Sequence, residues 1–347
     1  MATSDAWRGP GLFMSSPPTP LRIATRGSAL ALAQARMVQA QCQAAFPQQS
    51  FELAIIKTTG DKLQNVALTE GELPKGLFTK EIEEALLRHE ADLAVHSLKD
   101  LPTQLPPGLT LGAVTQRADV RDALVYREME HAHRYVDVSR PVRQDRRSYR
   151  PALSLQALPH RATVATGSTR RAAQLLDRRP DLRIVPIRGN VGTRLRKLAE
   201  QSELDATLLA LAGLERLQLR IDERGFLIGK DLPPGLAATP LPLTEMLPCV
   251  GQGAIGIEMR LDDSRLTPVC QAVNHAPTYA CVIAERAFLH ALGGGCQLAV
   301  AAYAQLRGTE LHLAGISFLD GRPRRGETRG PAQNAEELGR ALAGNLA

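Results

Sequence analysis

Short apolar runs alternate with stretches of helical periodicity over the first two thirds of the chain. "LRIAT" (21–25) leads into the helix-like "SALALAQARMVQAQCQAAF", which is followed by the strand-like "FELAIIKTT". In "KGLFTKEIEEALLRHE", Phe78, Ile82 and Leu86 recur every fourth residue on one helical face, and "ADLAVHS" reads as the next strand. "ATVAT", "LRIVPI" and "DATLLAL" repeat the pattern, each ahead of a helical stretch. Strand–helix alternation of this kind predicts parallel sheets with helices on both faces.

The rhythm breaks twice. Residues 127–150, "REMEHAHRYVDVSRPVRQDRRSYR", hold seven Arg against four acids with no steady apolar period, and read as a solvated loop or insertion. A nucleic-acid-binding arm is the alternative for that stretch. After "GGGC" (293–296) come the strand-like "QLAVAAYAQL" and "ELHLAGISFL" and then the helical "NAEELGRALAGNL". These predict a small, separate α+β domain.

Composition narrows the function classes. With 347 residues, two or three domains are expected. Hydrophobic residues at 44% and charged ones at 22% describe an ordinary globular protein. Aromatic residues, at 4%, are too few for a platform of stacked bases. No apolar run reaches the roughly 18–20 residues that span a bilayer. The first 20 residues mix Gly, Pro, Ser and both charge signs without an apolar segment, so they read as a disordered tail, neither a secretory signal nor a transit peptide. A net charge of +6 favours an anionic partner.

The five cysteines (Cys42, Cys249, Cys270, Cys281, Cys296) are odd in number and contain no C-x-x-C, so neither a disulfide framework nor a zinc site is indicated. A reducing cytoplasm fits best. The first four read as small buried hydrophobes. Cys296 follows three glycines and stays open among nucleophile, metal ligand, redox centre and buried residue.

The most informative residues follow three predicted strands. "LRIAT" runs into Arg26-Gly27-Ser28, and "ATVAT" runs into Gly167-Ser168-Thr169-Arg170-Arg171. "LRIVPI" runs into Arg188-Gly189-Asn190-Val191-Gly192-Thr193-Arg194. Each joins guanidinium groups to Gly and a Ser, Thr or Asn at a helix start. The free N–H groups and dipole of a helix N-terminus attract anions, and Arg adds a planar fork for carboxylate. The plain reading of each is a helix cap beside a solvated Arg. No G-x-x-x-x-G-K-[ST] is present and the glycine spacing of "RGNVGT" is wrong for a dinucleotide fingerprint, so a ligand with many carboxylates is favoured over phosphate. One acid stands among these bases. "AVHSLKDLP" ends a strand with Ser97, Lys99 and Asp100, where Asp100 reads either as a catalytic acid or cation stabiliser or as half of a surface salt bridge.

These strings, with "GSTRRAAQL", "LALAGLERL", "VGQGAIGIEMRLDD" and "AERAFLHALGGGCQ", together resemble the porphobilinogen deaminase (hydroxymethylbilane synthase) family, in order from about Leu21 to the final helix. The resemblance implies an α/β fold of three domains. Two are lobes like those of type II periplasmic binding proteins, with mixed, mainly parallel sheets, and the third is the small α+β C-terminal domain. The implied boundaries are 21–118 with 252–272 for the first domain, 119–251 for the second with its insertion at 127–150, and 273–347 for the third.

The resemblance also implies a dipyrromethane cofactor joined to Cys296 by a thioether. On it four porphobilinogen molecules are condensed head to tail with loss of ammonia, and hydrolysis then releases hydroxymethylbilane. Asp100 is the implied catalytic acid, stabilising positive charge on the pyrrole, with Arg26 and Lys99 beside it. Ser28, Lys99, Asp100, Thr166, Ser168, Arg170, Arg171, Arg188, Gly189 and Arg194 are implied to hold the cofactor and growing chain. Arg26, Ser28, Lys75, Phe78, Ser97, Gly213 and Arg216 are implied to meet substrate. No metal is expected, and the only partners are porphobilinogen and the oligopyrrole chain, with no nucleic acid or membrane and a monomeric state. Leu73-Pro74 stands where the family often has Gly-Gly, which leaves the mobility of the Lys75 loop in question. A protein that only captures an anion between two lobes would need the arginines, but neither Asp100 nor a thiol on a glycine loop.

Overall fold

Strand β1 (Leu21–Arg26) opens the first lobe in the computed structural model, which describes residues 19–62, 78–129, 147–295 and 297–347. The sequence tail up to residue 18, Lys75 and Cys296 lie outside the described residues. After β1 come α1 (Ala29–Ala45), β2 (Phe51–Ile56), α2 (Thr59–Lys62), α3 (Lys80–Leu87), β3 (Leu93–Ser97) and β4 (Leu109–Val114). The chain then crosses to the second lobe and later returns with β12 (Ile255–Arg260) and α7 (Thr267–Val273). The sheet order is β2-β1-β3-β12-β4. β1 lies parallel to β2 and β3, while β12 runs antiparallel between β3 and β4.

The second lobe contains β5 (Asp122–Arg127), β6 (Thr163–Ala165), α4 (Thr169–Arg178), β7 (Arg183–Val185), α5 (Val191–Glu200), β8 (Ala206–Ala210) and α6 (Leu211–Arg216). A two-stranded ribbon of β9 (Arg220–Ile221) and β10 (Leu227–Ile228) and then β11 (Leu236–Pro240) complete it. Its sheet, β11-β5-β8-β6-β7, repeats the plan of the first: β6 is parallel to β7 and β8, and β5 is antiparallel to β8 and β11. Each sheet is therefore mixed, with parallel and antiparallel pairings in equal share. Antiparallel pairing enters with β12 in the first sheet and β5 in the second, the strands next to the crossings between lobes.

Alternation along the strands builds a core on each face of the sheet. In the second lobe Leu124, Tyr126 and Val164 pack with Leu175 on one side. Ala123, Val125 and Ala165 pack with Leu195 and Leu211 on the other. Each fully buried Leu or Phe of this kind contributes roughly 1.5–3 kcal/mol. Cys42 and Cys270 are part of the first-lobe core.

The third domain pairs α8 (Ala276–Ala291) with α9 (Ala335–Leu346) over one face of an antiparallel sheet of β13 (Val300–Arg307), β14 (Glu310–Ser317) and β15 (Arg324–Pro331). Phe288 and Leu342 sit in the core between them. β15, "RRGETRGP", carries no apolar alternation and forms because all of its residues are paired along β14.

The ends of the Arg-rich stretch depart from the sequence reading. Arg127 is buried, its guanidinium donating to the Leu198 carbonyl at 2.5 Å, the Gln201 carbonyl at 3.2 Å and the Leu204 carbonyl. Tyr149 packs in the lobe core and its hydroxyl donates to Asp205 at 2.6 Å. Met129 N donates to Tyr149 O at 3.0 Å, so the two ends of the stretch meet. Residues 127–129 and 147–150 belong to the lobe, and the remainder, 130–146, lies outside the described residues. The misreading has a physical cause: a buried Arg satisfied by carbonyls at a helix end leaves no apolar period to read.

Candidate active site

All three strand-end turns are helix caps. Ser28 accepts from Ala31 N at 3.3 Å, Ser168 from Arg171 N at 3.4 Å, and Asn190 from Thr193 N at 2.9 Å. They start α1, α4 and α5 and direct the free N–H ends of those helices to the carboxyl ends of the strands. Thr166 supports the second turn by accepting from Ser168 N at 3.2 Å. Gly189 takes a φ of +112°, closed to ordinary side chains, and brings its carbonyl to Arg194 Nε at 2.8 Å.

The arginines divide by environment. Arg188 is exposed, whereas Arg170 and Arg171 are buried. Both of the latter grip Asp122, a fully buried carboxylate, with Nη2 to oxygen distances of 2.8 Å and 2.7 Å respectively. Arg170 also donates to Leu247 O at 2.6 Å and Arg171 to Leu208 O at 2.9 Å, and Gln252 adds a donor to Asp122 at 3.0 Å. Burial alone would raise the Asp122 carboxyl, but Arg170 and Arg171 overcome it and hold it well below the usual carboxylate range. The sequence reading did not find Asp122, which stands within "RDALVY" with nothing local to distinguish it. The Nε atoms of Arg170, Arg171 and Arg216 are buried without a protein partner among the described residues. A buried cationic N–H left open is suited to a ligand carboxylate. The residues therefore fit a polycarboxylate cofactor.

Asp100 ends the tight turn Leu98–Asp100 after β3 and is exposed. Burial pulls the neighbouring Lys99 ammonium down, with the Asp100 charge opposing and Arg171 reinforcing the shift. Burial and Arg171 likewise lower Arg194, and Asp100 again opposes. Asp100 thus acts on both cations, and Asp122 adds its charge at Lys99. Cys249, read from sequence as a plain buried thiol, lies in the same field, raised by burial and opposed by Arg170 and Lys99.

Other expected residues have partners of their own. The Arg26 guanidinium lies over the Phe78 ring, 4.2 Å from its centroid. Arg216 donates to Gly253 O at 2.6 Å, and burial lowers it to about 10, which leaves it cationic near neutrality. Gly213 lies nearby on the same helix, where an added Cβ would come 4.0 Å from Leu30. Ser97 exchanges hydrogen bonds of 2.9 and 3.0 Å with the buried Gln34 amide of α1 and so is held from its own lobe.

The loop ahead of Cys296 depends on glycine. Gly293, Gly294 and Gly295 have φ of +103°, +63° and +122°. Directly after Cys296, the Gln297 carbonyl accepts from Thr169 Oγ1 at 2.6 Å. That contact brings the third domain to the helix N-terminus bearing Ser168, Arg170 and Arg171.

Fold and site together define a class: a two-lobed α/β protein with a third domain, whose strand ends gather capped helices, guanidinium groups and the carboxylates of Asp100 and Asp122. Residues 21–268 match the profile of the porphobilinogen deaminase dipyrromethane cofactor binding domain, and residues 279–347 match that of the porphobilinogen deaminase C-terminal domain. The chain belongs to the porphobilinogen deaminase family. It is 44% identical to the porphobilinogen deaminase of Syntrophomonas wolfei over 329 residues, covering 94% of each chain. It is also 44% identical to that of Pelobacter propionicus (95% of this chain, 94% of the relative) and 43% identical to that of Geobacter metallireducens (95% and 92%).

Proposed function

We propose that this protein is a hydroxymethylbilane synthase, joining four porphobilinogen molecules head to tail with loss of ammonia and releasing the linear tetrapyrrole by hydrolysis. The observation that carries the reading is Asp100 set among Lys99, Arg194 and Arg171 beside buried, open guanidinium nitrogens. A bound dipyrromethane, attached through Cys296, supplies the pyrrole carbon on which the chain grows and carboxylates that fix it in place.

The protein's own residues do the rest. Arg170, Arg171 and Arg194 hold carboxylates of the cofactor and growing chain, with Ser28, Thr166, Ser168, Gly189 and Lys99 shaping the helix ends around them. Arg188, exposed at the rim, meets the outer carboxylates. Arg216, Ser97 and Gly213 receive the incoming porphobilinogen, Phe78 covers Arg26, and Lys75 is assigned to substrate by the family resemblance alone. Asp100 stabilises the positive charge that develops on the pyrrole as ammonia leaves, and holds the proton on the pyrrole nitrogen. A carboxylate fixed beside a developing cation lowers the energy of the charged state without reorganising when the charge appears.

The enzyme works in the cytoplasm, a placement supported by the free thiols of Cys42, Cys249, Cys270 and Cys281. Among the described residues no helix is long and apolar enough to cross a membrane.

The test is turnover. Purified protein given porphobilinogen releases one ammonia per molecule consumed and forms hydroxymethylbilane, and Asp100→Asn slows this on the order of 100- to 1,000-fold with the fold retained. Consumption without ammonia, or normal turnover by the variant, contradicts the reading.

A further inference from the structure

Arg286 stands on α8, outside every strand-end motif, yet it grips the chain next to Asp100. The residue is buried, with Nη1 3.1 Å from the Leu101 carbonyl and Nη2 2.6 Å from that of Pro102 and 3.3 Å from that of Thr103. These three residues follow Asp100 directly in the chain. The other side of the turn is fixed by backbone, since Leu98 N donates to Ala254 O at 3.1 Å and Leu101 N closes on Leu98 O at 3.2 Å. The Asp100 turn is therefore clamped from the first lobe on one side and from the third domain on the other.

The same helix leads to the cysteine loop. Beyond its C-terminus the chain passes into Gly293–Gly295, and a Cβ at Gly294 would lie 3.0 Å from Thr103 Oγ1. His290 Nδ1 lies 3.5 Å from the same hydroxyl. The segment 101–103 thus touches Arg286 on one side and the glycine loop on the other. Glu285, adjacent to Arg286, anchors the helix to the crossing between lobes: it pairs with Arg117 at 2.6 and 3.0 Å and accepts from Gly251 N at 2.8 Å.

We infer that Arg286 is a positioning residue, whose guanidinium fork holds the turn after Asp100 at a fixed separation from the glycine loop that carries the cofactor cysteine. The inference rests on the reading of Asp100 as the catalytic acid. A planar fork spans several carbonyls with its geometry set in advance, whereas an ammonium is a point charge on a flexible stem. Arg286→Lys keeps the charge and loses the fork.

The experiment compares Arg286→Lys, Arg286→Gln and Asp100→Asn with the wild type in the full chain. Intact mass gives cofactor loading, and steady-state kinetics give kcat and KM for porphobilinogen. Expected for Arg286→Lys are full loading, KM within about twofold of wild type, and kcat lowered about 10- to 100-fold, the scale of a reacting group displaced by roughly 1 Å. Arg286→Gln should lose at least as much kcat with the same KM. A fully loaded Arg286→Lys with wild-type kcat overturns the inference, as does a rise in KM alone. Failure of both Arg286 variants to fold also overturns it, because the role would then be structural. Normal turnover by Asp100→Asn defeats the underlying reading. An inactive Asp100→Asn beside a fully active Arg286→Lys defeats this inference alone.

Discussion

Asp122 carries a negative charge where no water reaches it, held there by two guanidinium groups and the Gln252 amide. Removing one partner of such a buried set leaves uncompensated charge and costs roughly 3–5 kcal/mol, so Asp122→Asn should destabilise the protein by that order in urea denaturation. The pH dependence has a definite sign. The folded carboxyl lies below its unfolded value of about 4, so its stabilisation is present above that pH and is lost as pH falls toward the folded value. The difference between wild type and Asp122→Asn should be full at pH 7 and shrink below about pH 4; a difference that grows in acid would contradict this. Only part of the cluster was legible in the sequence. Ser28, Ser168, Asn190 and Asp100 announce themselves through the turn or strand end they occupy. Asp122, Gln252 and Arg286 do not, because their partners lie 48, 130 and 185 residues away along the chain and only the fold unites them.

At the scale of elements, the three caps start helices whether or not a ligand is bound. Asn190→Ala and Ser168→Ala should each cost about 1 kcal/mol of stability through the lost cap. They should part in activity, since Ser168 faces the proposed carboxylate site: Asn190→Ala should keep wild-type turnover per folded molecule, while Ser168→Ala should lose turnover or cofactor loading. Wild-type turnover per folded molecule and full cofactor loading in both would mean that the caps matter only for folding. The strands were legible where apolar residues alternate, and β15 was not, because its Arg-Gly sequence forms a strand only through pairing along β14. The antiparallel entry of β5 and β12 was hidden as well, since strand–helix alternation carries no record of where a chain changes lobe. Excising 128–150 would remove Tyr149 from the lobe core, whereas joining Met129 to Arg147 spares it. That narrower deletion should leave turnover unchanged and stability within about 1 kcal/mol, because its ends already meet and each doubling of loop length changes closure entropy by only about 0.6 kcal/mol. A large loss of activity from this deletion would give residues 130–146 a role in the reaction.

Across the whole molecule, two lobes and a third domain meet at one crossing, and the polar residues there are shared. Arg117 Nε donates to the Gln252 carbonyl at 2.9 Å while its other nitrogens hold Glu285 of the third domain. Arg216 reaches Gly253 from the second lobe at 2.6 Å. Gly253 has no alternative residue: its φ is +84°, and an added Cβ would lie 2.6 Å from the Ala118 carbonyl. Groups proposed for substrate, cofactor and acid are in this way tied to one another across domains, which suits a reaction that must extend a chain step by step without releasing it. The proposed covalent link between a dipyrromethane and Cys296 has a direct readout in intact mass under denaturing conditions. Wild-type protein should be heavier than its sequence by one dipyrromethane, and Cys296→Ser should have the mass of its sequence alone, while single replacements of Cys42, Cys249, Cys270 and Cys281 should keep the added mass. A wild-type mass equal to that of the bare chain, or an adduct that survives in Cys296→Ser, would contradict the account.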